Sequence, residues 1–154
     1  MLNRSFVVDT TIPPALDDWI LLDPGFYFLP LHFSDDGWTF LLRLEPGTLV
    51  PTHHHTGESH AINLSGSREL VELGIVVGPG SYVFEPVGTI DSWQAVGDEP
   101  CVIHLTVTGD VEYLDENGAV SASYNTNTQR VLYANWMSEH RPGVPIPPDM
   151  ITDS

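Results

Sequence analysis

Apolar residues in this chain come in short runs that alternate with polar ones, and Gly, Pro, Asn or Asp interrupts them every few positions. In Trp38 to Leu44, an extended backbone puts Trp38, Phe40 and Leu42 on one face and Arg43 on the other. The same reading predicts strands over Thr48 to His55, His60 to Leu64, Arg68 to Leu73, Ser81 to Glu85, Asp91 to Val96 and Cys101 to Thr108. Turns fall at Asp35-Asp36-Gly37, Glu45-Pro46-Gly47, Ser65-Gly66, Gly78-Pro79-Gly80, Pro86-Val87-Gly88 and Gly97 to Pro100. Asp115-Glu116-Asn117-Gly118 predicts a hairpin whose Asn-Gly pair supplies the positive φ angles of a type I′ turn. Helical periodicity is almost absent, so the pattern predicts an all-β sandwich or barrel.

The two ends read differently. Residues 1–30 form an N-terminal arm with one or two strands. Pro13-Pro14 bars a helix interior there, and Pro24-Gly25 marks a turn. Phe26 to Leu29 shows no alternation and is expected to pack across the core. Residues 124–154 form a C-terminal tail, polar and then proline-rich, in which only Val131 to Met137 is a candidate helix or strand. No repeat, linker or second domain is visible, and 154 residues suit one domain, 1–154.

Charge narrows the function. Asp and Glu total 21 against five basic residues, a formal net charge of −16. All the basic residues are arginine. Nucleic acid and anionic membrane surfaces need a basic footprint, so both are excluded as partners. The single cysteine, Cys101, excludes an internal disulfide framework and fits a cytoplasmic location. No signal-peptide core is visible at the start, and no apolar stretch approaches a membrane span.

The chemistry concentrates in histidine. Four of the seven histidines lie close together, His53, His54, His55 and His60. On a strand, His53 and His55 share a face and His54 takes the other. A turn at Thr56-Gly57-Glu58 lets His60 return to the same side. Imidazole is a common ligand for iron, zinc, copper and nickel. The other reading is an exposed, ligand-free histidine loop. His32 and His140 stand alone.

The stretch Pro51 to Gly66 resembles the first motif of the cupin superfamily, with His53 and His55 as its two histidines and His60 where a glutamate usually stands. The stretch Gly80 to Asp91 resembles the second, with Gly80, Pro86 and Gly88 in frame and Asp91 in place of its histidine. Arg43 to Gly47, His53 to Gly57 and Gly80 to Gly88 are further similar to the 2,4′-dihydroxyacetophenone dioxygenase group of cupins. The resemblance implies a double-stranded β-helix, or jelly-roll barrel, whose metal-binding core spans residues 38–118.

It also implies metal ligands among His53, His55, His60 and Asp91, with Glu85 either holding a ligand imidazole by its free ring N–H or pairing with one of the few arginines. His104 is a candidate replacement ligand. If Gly97 to Pro100 closes a hairpin, it lies across from Trp93 on the face that carries Asp91. Two histidines and Asp91 would make the two-His-one-carboxylate set of non-haem iron oxygenases. Fe(II) is the implied cofactor, with zinc, nickel and manganese as alternatives. Small-molecule substrate and O2 are the implied partners, in a homodimer of the kind cupins form.

The implied reaction is dioxygenase cleavage of a C–C bond in a small hydroxyketone such as a hydroxyacetophenone. No catalytic residue beyond the metal centre is assigned. Other cupin metalloenzymes (a diketone-cleaving dioxygenase, a lyase or an isomerase) and a non-enzymatic ligand or metal sensor remain alternatives. Trp38, Phe40, Tyr82, Phe84 and Trp93 either line a substrate pocket or form plain core. Arg43 either reaches an anionic substrate group or pairs with a carboxylate.

Overall fold

The structure is a computed structural model that describes residues 15–145. After a short 3-10 turn at Leu16–Asp18, the strands are β1 Ile20–Asp23, β2 Phe26–Phe33, β3 Gly37–Leu44, β4 Leu49–His55, β5 Ser59–Ser65 and β6 Ser67–Leu70. They continue with β7 Ile75–Val77, β8 Tyr82–Glu85, β9 Ile90–Val96, β10 Cys101–Thr108, β11 Val111–Leu114 and β12 Val120–Tyr124. The helix α1 Thr126–His140 follows.

Two six-stranded antiparallel sheets result, in the orders β1-β2-β3-β10-β5-β8 and β12-β11-β4-β9-β6-β7. The chain crosses repeatedly from one to the other, as a jelly roll requires. Alternation is strict on β10, where Cys101, Ile103, Leu105 and Val107 are buried. Trp38, Phe40, Leu42 and Leu44 of β3 join them in the interior between the sheets. Leu41 faces the opposite way, into a smaller cluster with Trp19 and Leu31. No described helix is long and apolar enough to cross a membrane.

Several expectations need correction. The segment Arg68 to Leu73 is no single strand: β6 stops at Leu70, Gly74 turns the chain at φ 65°, and the reversed segment returns as β7. The segment from Phe26 does alternate as far as Pro30, with Phe26, Phe28 and Pro30 buried and Tyr27 and Leu29 half-buried. Gly97 to Pro100 closes no hairpin. It carries the chain from β9 in one sheet to β10 in the other, which pairs with β3 and β5.

The 115–118 turn does close the β11–β12 hairpin, but only Gly118 has positive φ, so it is not type I′. The Asp115 carboxylate accepts from Asn117 N and Ala119 N instead and braces a wider loop. The tail holds a helix of 15 residues. Its start is a capping box: Asn125 accepts from Asn127 N and Thr128 N, and Thr128 Oγ1 accepts from Asn125 N. Its buried positions include the polar Thr126 and Gln129, which blurs the apolar stripe that would betray a helix. Pro13-Pro14 and Pro147-Pro148 lie outside the described residues.

Gly66 tests the close approach of this turn to β10. Its φ is 66°, and a Cβ there would overlap the Pro100 carbonyl. Gly66→Ala should cost about 3 kcal/mol or more in urea unfolding. Gly47→Ala, with φ 87° but open space around it, should cost only about 1–2 kcal/mol. Equal costs at the two positions would contradict the packing described.

Candidate metal centre and its cavity

A bulge decides which histidines face inward. On β4, Val50 is buried, Pro51 and Thr52 are exposed, and His53 and His55 are buried. Strict alternation from Val50 would have turned Thr52 and His54 inward. Val50 sits opposite Trp93 and His53 opposite Asp91, with the register shifting between them. That irregularity reverses the parity of the strand. Pro51 suits it, having no N–H to leave unpaired. His54 therefore points away, its Nδ1–H donating to Glu112 Oε1 at 2.9 Å.

Backbone bonds bring the carboxylates to the histidines. His55 N–H donates to the Thr89 carbonyl (2.9 Å), and Gly88 N–H donates to the His55 carbonyl (2.8 Å). The loop so pinned joins the end of β8, carrying Glu85, to the start of β9, carrying Asp91. Next to Asp91, Ser92 N–H and Oγ–H donate to the two Glu72 carboxylate oxygens at 2.8 and 2.7 Å. This clamp fixes the strand at the site.

His53 Nε2 lies 3.0 Å from Asp91 Oδ1, and His55 Nε2 lies 3.6 Å from the same oxygen. Glu85 Oε2 is 3.0 Å from His55 Nε2. The ligand atoms of His53, His55 and Asp91 all fall within 4.8 Å of one another. His53 Nδ1–H donates to the Pro51 carbonyl at 2.7 Å, which leaves Nε2 as the lone-pair nitrogen that metal binding needs. Asp91 Oδ1 and Glu85 Oε2 are buried and satisfied by no hydrogen bond. Their near neighbours are the imidazole nitrogens, none with a well-aligned N–H, and two imidazoles with carboxylate suit a divalent metal. The residues fit the metal that the fold implies.

The electrostatics agree. Burial alone would lower the pKa of His55, but Asp91 and Glu85 beside it raise it to about 9. Burial would raise the Asp91 carboxyl, and the His53 and His55 imidazoles outweigh that and hold it well below the usual range. Without a metal, the site is a pairing of imidazolium and carboxylate.

His53, His55 and Glu85 line a cavity of about 550 Å³ between the sheets. Trp38, Phe40 and Trp93 line it, as expected if they form a pocket, with Phe28 and Leu105. Trp38 stacks on Phe40 at 5.5 Å between ring centres. Tyr113 also lines it, 5.4 Å from the His53 ring, and burial pushes its phenol pKa well up. Leu21 and Leu49 stand at its exposed rim, and half-buried Leu132 also lines it.

The remaining candidates lie elsewhere. His60 occupies the opposite face of β5 from buried Ser59 and Ala61, and its ring packs on Tyr82 and Phe84. It does not join His53, His55 and Asp91. The 56–58 turn does reverse the chain, but the period of two on β5 turns residue 60 outward. Tyr82 and Phe84 are more than 40% exposed on the same outer face, by alternation along β8. His104 lies beside Ile62 in the β10–β5 ladder, not across from Trp93, because β9 and β10 belong to different sheets. Arg43 pairs with Glu45 at 2.9 Å outside the cavity. Glu85 approaches Nε2 of His55, the nitrogen facing Asp91, rather than the far ring nitrogen. His55 Nδ1 is left without a hydrogen-bond partner.

One residue that sequence reasoning passed over is Arg68. It is 1% exposed, lines the cavity, and stacks over Trp93 with its guanidinium carbon 4.7 Å from the ring centre. Its Nε–H donates to Asn63 Oδ1 at 3.3 Å. A signal existed: on a strand Arg68 shares a face with Leu70, and both are buried. Tyr113 was also missed, although it lies opposite His53 in the β11–β4 ladder.

The model of the ChrR cupin-like domain family matches residues 7–112 of this chain. No curated protein matches it. Among solved structures, the chain is similar to an RmlC-like cupin protein from Ralstonia eutropha JMP134, with a TM-score of 0.83, 24% identity, and 97% of this chain and 95% of that one covered. It is also similar to an acetylacetone dioxygenase from Acinetobacter johnsonii (TM-score 0.70, 19% identity, 90% and 97% covered). The Rhodobacter sphaeroides SigE complex with the anti-sigma ChrR gives a TM-score of 0.52 at 22% identity, covering 60% of this chain and 50% of that one. At these identities the likeness to solved structures is one of fold, and the predicted cupin barrel is borne out.

The raised pKa of His55 makes a signed prediction for metal-free protein. A group whose pKa rises on folding stabilises fully below its ordinary value of 6.5, and that contribution disappears as pH climbs through about 9. Metal-free protein should therefore lose on the order of 3 kcal/mol of unfolding free energy between about pH 6 and 10. His55→Asn should flatten the curve over that range. A wild-type curve already flat there would contradict the paired site. Bound metal should reverse the trend, since protons compete with it for the imidazoles.

Proposed function

Because the chain belongs to the ChrR cupin-like domain family, we propose that it is a cupin metalloenzyme, a non-haem iron dioxygenase that cleaves a C–C bond of a small hydroxyketone. The observation that carries this reading is the cluster of His53, His55 and Asp91, with unsatisfied buried acceptors, at the wall of an aromatic cavity. The similarity in fold to an acetylacetone dioxygenase supports it.

His53, His55 and Asp91 would hold the metal, which when bound supplies Lewis acidity to two substrate oxygens and a route for O2. Trp38 and Phe40 would take the apolar flank of the substrate and exclude water around it. Glu85 Oε2, buried beside His55, is placed to accept the proton that a hydroxyketone loses on becoming an enediolate. The balanced reaction is R–CO–CH2OH plus O2 giving R–COOH and HCOOH. One C–C bond breaks, the O–O bond breaks, and each carbon of the broken bond takes one oxygen atom. The proposed assembly is a homodimer.

A second reading is a metal- or ligand-sensing domain, favoured by the family match and by the ChrR structure in complex with a sigma factor. Oxygen uptake separates the two. Protein holding about one Fe(II) per chain should consume O2 and 2-hydroxyacetophenone in about equal amounts and release benzoate and formate. Metal retention without uptake across hydroxyketones and diketones would remove the dioxygenase and favour the sensor, a lyase or an isomerase. His55→Ala should lose the metal and His60→Ala should keep it. The reverse pattern would remove the assigned ligand set.

A further inference from the structure

The orphaned polar atoms around the cavity fall into two kinds. Asp91 Oδ1 and Glu85 Oε2 are acceptors that face imidazole nitrogens without a well-aligned N–H. Arg68 Nη2 and Trp38 Nε1 are buried donors lacking an acceptor, and both residues line the same cavity. A metal satisfies the first kind and does nothing for the second. Arg68 makes no ion pair among the described residues. Its direct contacts are the neutral Asn63 side chain and the Trp93 ring, while Glu85 and Asp91 act on its charge from beyond hydrogen-bond range. The guanidinium is charged at any ordinary pH and lies buried in a chain with only five basic residues.

The charge balance points the same way. At the cavity, Glu85 in the lining and Asp91 behind the His53 and His55 rings carry two negative charges and Arg68 one positive. A divalent cation on neutral imidazoles leaves one positive charge in excess. Asp23, the other acidic residue of the lining, is exposed at the rim and screened by water.

We infer that Arg68 anchors a carboxylate of the substrate, which is a small organic monoanion with an apolar flank. The guanidinium offers its free Nη2 to a carboxylate oxygen, the aromatic wall receives the flank, and Asn63 and Trp93 hold the guanidinium in place. Trp38 Nε1 is a second donor for the same ligand. The inference deepens the proposed function and rests on it for the cavity being the substrate site, but it concerns binding rather than turnover.

The test uses protein loaded with Zn(II), which supports no oxygen chemistry, and two probes of one skeleton. Benzoylformate carries a carboxylate, and 2-hydroxyacetophenone is its neutral counterpart. Calorimetry should show wild-type protein binding benzoylformate about 10- to 100-fold more tightly. Arg68→Met should remove most of that preference while leaving 2-hydroxyacetophenone within about two-fold, and Arg68→Lys should restore part of it.

Zinc content and thermal melting establish that each variant is folded and loaded. Equal wild-type affinities for the two probes would overturn the inference. So would an undiminished preference in folded Arg68→Met, which would assign the carboxylate to the metal alone. Should Arg68→Met fail to fold, zinc-loaded Arg68→Lys decides: a preference for benzoylformate weakened several-fold supports Arg68, and an undiminished one overturns the inference. A chain that binds benzoylformate through Arg68 but consumes no O2 keeps this inference and loses the dioxygenase. A chain that turns over hydroxyketones without that preference does the opposite.

Discussion

Two imidazoles, two carboxylates and a guanidinium share an interior otherwise walled by Trp, Phe and Leu, and each must be neutralised where water is scarce. Removing a charge from water costs several kcal/mol unless a partner offsets it. The protein meets this cost in part only. His53 and His55 stand against Asp91 and Glu85 at 3.0 to 3.6 Å, yet acceptor oxygens on both acids stay unbonded. Arg68 is offset by one neutral hydrogen bond, an aromatic face and the more distant charges of Glu85 and Asp91. A cluster held together by imidazolium protons alone favours a cation that can take their place. The surrounding architecture can be understood as the means of holding it.

That means is largely backbone. The irregularity between Val50 and His53 sets the parity of β4, and without it Thr52 and His54 would enter the cavity instead. The paired bonds from His55 to Thr89 and Gly88 draw in the loop that carries Glu85 and Asp91. Glu72 then clamps Ser92, one residue beyond Asp91. The ligands thus sit on strands held by ladders on both sides, where side-chain positions are defined to a fraction of an ångström.

Much of this was legible in the sequence. Alternation located β3 and β10 within one residue, because one face of each strand is buried and the period of two survives. The two-motif pattern named His53, His55 and Asp91, which the structure brings together. It failed where three-dimensional pairing decides. His60 was expected to return to the cavity, but only the turn can be read from sequence, and the period of two on β5 sends its ring outward. His104 was misplaced because a Gly-Pro turn looks the same whether it closes a hairpin or bridges two sheets. The helix α1 hid behind polar buried residues, while its Asn125 cap was in plain view. Arg68 was overlooked because a buried arginine has no local signature beyond its parity with Leu70.

The central claim is that His53, His55 and Asp91 jointly hold one divalent metal facing the aromatic cavity. Anomalous diffraction at the iron edge, from crystals grown anaerobically with Fe(II), tests it most directly. The account predicts one peak within about 2.0–2.2 Å of Nε2 of both histidines and of an Asp91 carboxylate oxygen. A peak beside His60 or His104 on the outer face, or none at His53 and His55 in iron-loaded crystals, would contradict it.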